Sequence, residues 1–251
     1  MSRIKFLNTE VDNLTIEEAI NSIDNLIQNK KPSYVVTPNV DHIVKLEEDL
    51  EFKQVYKNAA LILTDGMPLV WISKLKGHKI KEKVSGSDLF PRVCELAATK
   101  GYKIFLLGAA EGIAAKAADN LKRKYKNLNV VGTYSPSYGF EKNEEEIKYI
   151  IDLISKAKPD ILAVGLGAPK QEKFLYKYNK KLNVPVSLAI GASIDFEAEN
   201  IKRAPKWMQN IGLEWFYRLC KEPKRMYKRY LVDDIKIVKL VIKYSIEEKA
   251  L

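Results

Sequence analysis

Apolar residues fall along this chain in two alternating patterns. Some form short continuous runs; others recur at every third or fourth position over longer stretches. The first pattern predicts buried strands and the second amphipathic helices. A short strand is expected at residues 4–7. Thr15 and Glu18 form a capping-box pattern ahead of a helical stripe of Ile16, Ala19, Ile20, Ile23, Leu26 and Ile27. Tyr34, Val35, Val36 and Thr37 predict a buried strand ended by Pro38, with a helix running to about residue 50. The next short strand, residues 61–63, runs into Thr64, Asp65 and Gly66, and Met67 and Pro68 open a helix to about residue 74. A polar turn at residues 83–88 follows, in which Ser87 is placed to cap a helix through residue 98 that Gly101 ends. A strong buried strand at 103–107 leads through Gly108 and Gly112 into an Ala-rich helix to about residue 124. Further strands are expected at 130–134, 161–164 and 185–190, with a helix at 143–156 and another opened by Gly165, Leu166, Gly167, Ala168 and Pro169. The last core strand ends in Gly191, Ala192 and Ser193.

Strands alternating with helices predict an α/β fold: a mostly parallel, Rossmann-like sheet with helices on both faces. Ligands of such sheets sit beyond the carboxyl ends of the strands. Here those ends are at Thr37 to Asn39, Thr64 to Gly66, Gly108, Gly165 to Gly167 and Gly191, and they are expected to form one rim. The pattern changes at about residue 195, so residues 1–195 read as the core and 196–251 as a basic helical C-terminal appendage. Within the appendage, Leu231, Ile235, Val238, Ile242 and Ile246 form a stripe at helical spacing, with Lys236, Lys239 and Lys243 beside it.

Composition narrows the class. The 251 residues, 46% of them hydrophobic, suffice for one sizeable core plus an appendage. Two cysteines, Cys94 and Cys220, are too few for a secreted disulfide scaffold, and a reducing cytoplasm fits. The N-terminus lacks the apolar run of a signal peptide, and no stretch approaches the length of a spanning helix, so a soluble or peripheral protein is expected. The net charge is +10, and residues 202–251 alone carry 13 Lys/Arg against 6 Asp/Glu. A basic segment of this kind seeks a polyanion: anionic lipid, nucleic acid or a diphosphate.

The candidate chemistry follows from the strand ends. Glycines at Gly108, Gly167 and Gly191 let backbone amides approach an anion at a helix N-terminus, and a nucleotide diphosphate is the natural guest; plain turn geometry is the other reading. Asp65 stands at a strand end as a candidate general base, or else as a helix cap. The two histidines, His42 and His78, and the lack of an Asp-x-Asp pair make a metal site hard to build, and His78 reads as a surface-loop residue. No metal or other cofactor is expected, so cations such as Arg218, Arg225 and Arg229 would carry the charge of a diphosphate. The C-terminal helix suits an interfacial position on anionic lipid, with Trp207, Trp215, Tyr217, Tyr227 and Tyr230 near it; docking on its own core or on a second subunit competes. No nucleic-acid-binding motif accompanies the basic segment.

Several motifs occur in order: Thr37-Pro38-Asn39, Thr64-Asp65-Gly66, Val84-Ser85-Gly86-Ser87-Asp88, Gly165-Leu166-Gly167-Ala168-Pro169-Lys170-Gln171-Glu172 and Arg203-Ala204-Pro205. They are followed by Gly212-Leu213-Glu214-Trp215-Phe216-Tyr217-Arg218-Leu219, then Glu222-Pro223 and Arg225. This set resembles the WecG/TagA/CpsF glycosyltransferase family over nearly the whole chain. The resemblance implies an inverting, metal-independent transferase at the inner face of the cell membrane. It would move N-acetylmannosamine or a related sugar from UDP to an undecaprenyl-diphosphate-linked N-acetylglucosamine, in teichoic acid or surface-polysaccharide synthesis. It implies Asp65 as base with Thr37 beside it. Asn39, Lys83, Gly86, Asp88, Gly108, Gly167, Gln171, Gly191, Arg218, Arg225 and Arg229 would bind substrate, the arginines from an appendage that closes over the site. Lys83 stands where many relatives carry Arg, which keeps the charge but not a bidentate fork. Another UDP-sugar, a non-catalytic UDP-sugar-binding adaptor and a homo-oligomer remain open alternatives.

Overall fold

The computed structural model describes residues 3–77 and 79–249; His78 and the side chains of Arg225, Glu248 and Lys249 lie outside the described residues. The chain opens with a hairpin, β1 (Arg3–Phe6) and β2 (Thr9–Asp12), then α1 (Ile16–Asn29), β3 (Ser33–Val36), α2 (Val40–Glu48), α3 (Leu50–Lys57) and β4 (Leu61–Ile62). There follow α4 (Met67–Leu75), α5 (Gly86–Lys100), β5 (Lys103–Gly108), α6 (Ile113–Lys124), β6 (Asn129–Tyr134), α7 (Glu144–Ala157), β7 (Ile161–Gly165), α8 (Lys170–Leu182), β8 (Val186–Ala189) and α9 (Ser193–Glu197). The C-terminal part comprises α10 (Lys206–Asn210), α11 (Glu214–Lys221), α12 (Pro223–Lys228), a π-helical stretch at Arg229–Asp233, a 3-10 turn and α13 (Ile237–Lys249).

Six strands form one parallel sheet in the order β4-β3-β8-β7-β5-β6. Its inner strands are mostly apolar because helices cover both faces, and successive side chains alternate between two cores. Tyr34, Val36, Phe105, Leu107, Leu162 and Val164 pack on one side with residues of α2, α3, α7 and α8. Val35, Ile104, Leu106, Ile161 and Ala163 pack on the other with residues of α1, α5 and α6. The α/β architecture with its C-terminal helical segment is the one expected. The topology reverses around β3, β8 and β7, and these strands, with β4, carry the site.

The short strand expected at residues 4–7 is β1, one arm of a hairpin, pinned to β4 because Asp12 accepts from Arg3 and from the Ile62 amide at 2.8 Å. Two local expectations are corrected. The helix expected to about residue 50 is two helices, broken where Asp49 turns extended and caps α3 through its side chain. Ser85, not Ser87, caps α5: its hydroxyl accepts from the Asp88 amide at 3.2 Å and donates to Asp88 Oδ2 at 2.7 Å. Asp195 lies in α9, which packs on α6 with Ile194 and Ala198 buried.

Candidate functional site

The carboxyl ends of β3, β4, β7 and β8 face two adjoining cavities, which share Asn39, Asp65, Ser87, Arg218 and Arg229 in their walls. The inner cavity, about 130 Å³, reaches Thr37, His42, Gly167, Gln171 and Gly191. The outer one, about 390 Å³, runs between α4 and the appendage past Met67, Trp215, Leu231 and Val238. Most sequence-predicted residues therefore meet in one place.

Asp65 owes its position to the sheet. The ladder of β3 and β4 continues past the strands through Leu63 N–H to Val36 O at 2.9 Å and Asp65 N–H to Pro38 O at 2.8 Å. Gly66, at φ 109°, then turns the chain into α4, and no side chain caps that helix. Asp65 is thus not a helix cap. Its part-buried carboxylate lies in the wall of both cavities and in no ion pair among the described residues. Burial pushes its pKa up to about 6; Glu214 and Asp88 push the same way, against Lys83 and Arg218.

Around it, the cations are already partnered. Lys83 pairs with Asp88 at 2.7 Å, Asp88 with Arg203 at 2.7 Å, Arg203 with Glu214 at 3.4 Å and Glu214 with Arg218 at 3.1 Å. This chain of alternating charges ties the core to the appendage. Burial pushes the Asp88 carboxyl up, but Arg203 and Lys83 together hold it below its usual range. Arg218 also lies over the Phe196 ring at 5.3 Å. Arg229 donates to Asn39 Oδ1 at 3.2 Å, and Asn39 in turn caps α2. The Arg225 side chain lies outside the described residues.

The glycines divide. Gly167 and Gly191, both at positive φ, line the inner cavity with open space where a Cβ would sit. Gly86 and Gly108 line neither cavity. A Cβ on Gly86 would meet the Ile190 backbone at 3.1 Å, and one on Gly108 would stand 2.4 Å from Gly165 O. These two let backbones approach. Thr37 donates to Ala189 O at 3.3 Å, and the buried Gln171 accepts from the Gly191 amide at 3.1 Å while its amide nitrogen donates to Glu172 at 2.7 Å.

Sequence reasoning missed Glu172, His42 and Asp234 as members of the site. Glu172 is wholly buried beneath Gln171, its Oε2 unpartnered, and burial pushes its pKa up to about 7. His42 lies in the inner wall, and Asp234 lines the outer cavity with its pKa pushed by burial to about 7. The only advance signal was position: Glu172 follows Gln171 in the Gly-rich motif, and His42 lies one helical turn past Asn39. Among the described residues no three His, Cys, Asp or Glu side chains gather closely enough to hold a metal ion.

A rim of this construction, with a carboxylate titrating near neutrality beside guanidiniums, suits proton abstraction next to an anionic leaving group. Comparison with known proteins identifies the family. The family model for the WecG/TagA/CpsF glycosyl transferases matches residues 4–251. The chain is 32% identical over 219 residues to an N-acetylglucosaminyldiphosphoundecaprenol N-acetyl-beta-D-mannosaminyltransferase of Bacillus spizizenii, covering 87% of this chain and 82% of that protein. It is 32% identical over 205 residues to the protein of the same name from Bacillus subtilis, covering 82% and 77% of the two. The chain belongs to the WecG/TagA/CpsF family of glycosyl transferases.

Proposed function

We propose that this enzyme transfers N-acetylmannosamine from a UDP donor to N-acetylglucosamine carried on undecaprenyl diphosphate, with inversion and without a metal ion, at the inner membrane face. The observation that carries this reading is the common cavity wall of Asp65, Arg218 and Arg229. The names of the two Bacillus relatives support the acceptor and the transferred sugar.

In this mechanism an acceptor hydroxyl oxygen attacks the anomeric carbon of the donor. The new C–O bond forms as the bond to the β-phosphate oxygen breaks, and the hydroxyl proton passes to Asp65. UDP leaves with the bonding electron pair. Arg218 and Arg229 balance its charge, with Arg218 exchanging Glu214 for phosphate oxygens. A single displacement inverts the anomeric centre. The outer cavity, walled by Met67, Pro68, Trp215, Leu231 and Val238, offers an apolar path for the first units of the lipid. Leu231, Ile235, Val238, Ile242 and Ile246 are all exposed, which supports a membrane-facing role for the appendage. No helix among the described residues is long and apolar enough to cross a membrane.

The test is acceptor-dependent UDP release from UDP-N-acetylmannosamine in the presence of EDTA, with a short-chain lipid-diphosphate N-acetylglucosamine acceptor. Release that needs both substrates and survives EDTA supports the reading. Loss of turnover in EDTA, regained on adding a divalent cation, removes its metal-independent part. Binding of UDP-sugars without any transfer to the acceptor replaces it with a non-catalytic role.

A further inference from the structure

His42 sits in the first turn of α2, behind the rim residue Asn39, and only 3% of it is exposed. Its ring is wedged edge-on between Phe52 and Tyr56, and His42 is one of the residues lining the inner cavity. Nδ1 lies 2.6 Å from the Tyr56 hydroxyl. Among the described residues that hydroxyl has no other hydrogen-bond partner, so its proton must go to Nδ1 or remain unbonded in a buried site. Nδ1 is then the acceptor, and the ring's single proton is on Nε2. Nε2 makes no hydrogen bond within the described residues, yet it is not among the buried polar atoms shut off without a partner. His42 is a lining residue of the inner cavity, which gives Nε2 an opening toward it.

Burial pushes the imidazole pKa down to about 3; Asp41 opposes this, and Arg229 and Lys45 reinforce it. The ring is therefore neutral at any physiological pH and brings a directed N–H without a charge. On the inner wall it has the neutral Thr37, Asn39, Gln171, Gly191 and Ser193 for company, together with the carboxylates of Asp65 and Glu222. The guanidiniums Arg218 and Arg229 come from the appendage, and Arg229 reaches Asn39 Oδ1 at 3.2 Å, at the cap of the helix that carries His42. A diphosphate is drawn to the cations, whereas neutral donors and acceptors such as His42, Thr37 and Gln171 match hydroxyl and acetamido groups, and carboxylates such as Asp65 accept from hydroxyls.

We propose that His42, through Nε2–H, donates a hydrogen bond to an oxygen of the sugar in the nucleotide-sugar donor, with Tyr56 as the positioning residue that fixes the tautomer. This rests on the proposed use of the cavity by a UDP-sugar.

The experiment is calorimetric binding of UDP and of UDP-N-acetylmannosamine to the full chain without acceptor, the affinity gained from the sugar being the readout. Asn in place of His42 keeps a polar group for Tyr56 and lacks the cavity donor; Gln places an amide N–H near the Nε2 position. His42→Asn is expected to lose about fivefold in affinity for the UDP-sugar, with UDP affinity unchanged, and His42→Gln to recover most of that loss. Ring-nitrogen NMR at neutral pH should show the Nε2–H tautomer at the histidine signal that His42→Asn removes, in a chain with only two histidines. The proposal is overturned if His42→Asn keeps the full sugar increment, if it weakens UDP equally, or if the tautomer is Nδ1–H. A wild-type chain that binds UDP-N-acetylmannosamine no better than UDP overturns it as well. A chain that binds the sugar through His42 but transfers nothing leaves this inference standing and overturns the proposed function.

Discussion

Asp65 and His42 are both desolvated, and desolvation acts on them in opposite senses: the carboxylate pKa rises to about 6 and the imidazole pKa falls to about 3. For Asp65 the folded pKa lies above the ordinary value of 3.8, so the folded state holds the proton longer than the unfolded one. Stability therefore falls as pH rises from about 3.8 to about 6 and stays reduced above. With Asp65 as the proposed base, activity requires its ionised form, so the rate should drop with an apparent pKa near 6 on the acid side, well above an ordinary carboxylate. Asp65→Asn should reduce turnover by at least about a thousandfold with UDP affinity retained, and should raise the melting temperature at neutral pH by removing a destabilising charge. Near-normal turnover would take Asp65 out of the role. Glu214 is the largest charge raising the Asp65 pKa. Glu214→Gln should therefore move the acid limb of the pH–rate profile to lower pH; an unmoved limb would show that another group titrates there.

At the scale of elements, close backbone approach decides where the rim lies. The ends of β5 and β7 meet at Gly108 and Gly165, with φ 125° at Gly108 and no room for a Cβ. Gly108→Ala should destabilise the fold by roughly 2–4 kcal/mol, read as a lowered denaturation midpoint, while a well-folded variant with normal stability would deny the contact. The sheet was legible in the sequence because its strands are apolar on both faces and end in Thr, Asp or Gly. The hairpin partner β2 was not, because Thr9, Glu10, Val11 and Asp12 hold a single apolar residue among polar ones, and the Asp12 carboxylate reaches β4. Asp65 could be picked out because it stands at a strand end, as does Asn39, whereas Gln171 was indicated only by the family resemblance. Glu172 and His42 could not, since only the packing of α8 and α2 on the sheet buries them. Nor does spacing reveal that Asp88 clasps Lys83 and Arg203, residues 5 and 115 positions away, into the chain of charges that ends at Arg218.

Over the whole molecule, the appendage both completes the cavity and presents a separate surface. One face of α13 packs on the core through Ile237, Leu240, Val241 and Tyr244, with Lys243 and Tyr244 on Glu47 at 2.6 and 3.0 Å. The expected stripe lies elsewhere: Val238, Ile242 and Ile246 are 57%, 56% and 64% exposed. Docking on the core and an apolar outer surface, weighed as competitors from the sequence, thus coexist on one helix. The double substitution Ile242→Glu with Ile246→Glu should cut binding to anionic vesicles and turnover of vesicle-borne acceptor by about tenfold or more. Turnover of a short-chain soluble acceptor should be spared; equal loss on both acceptors would place the stripe's role in the fold instead.

The π-helical stretch at Arg229–Asp233 sets which of these faces points where. A π-bulge holds one residue more than the α-helix it interrupts, and each residue turns the helix by about 100°. Removing Val232 alone would back-rotate everything after it by that angle, swinging Val238 and Ile242 away from their outward bearing and lifting Leu240 and Tyr244 off α2. The bulge thus acts as the clock setting of the C-terminal helix. Arg229 enters the cavity at its first residue, so one inserted position fixes the helical phase of the site and of the outer apolar stripe together.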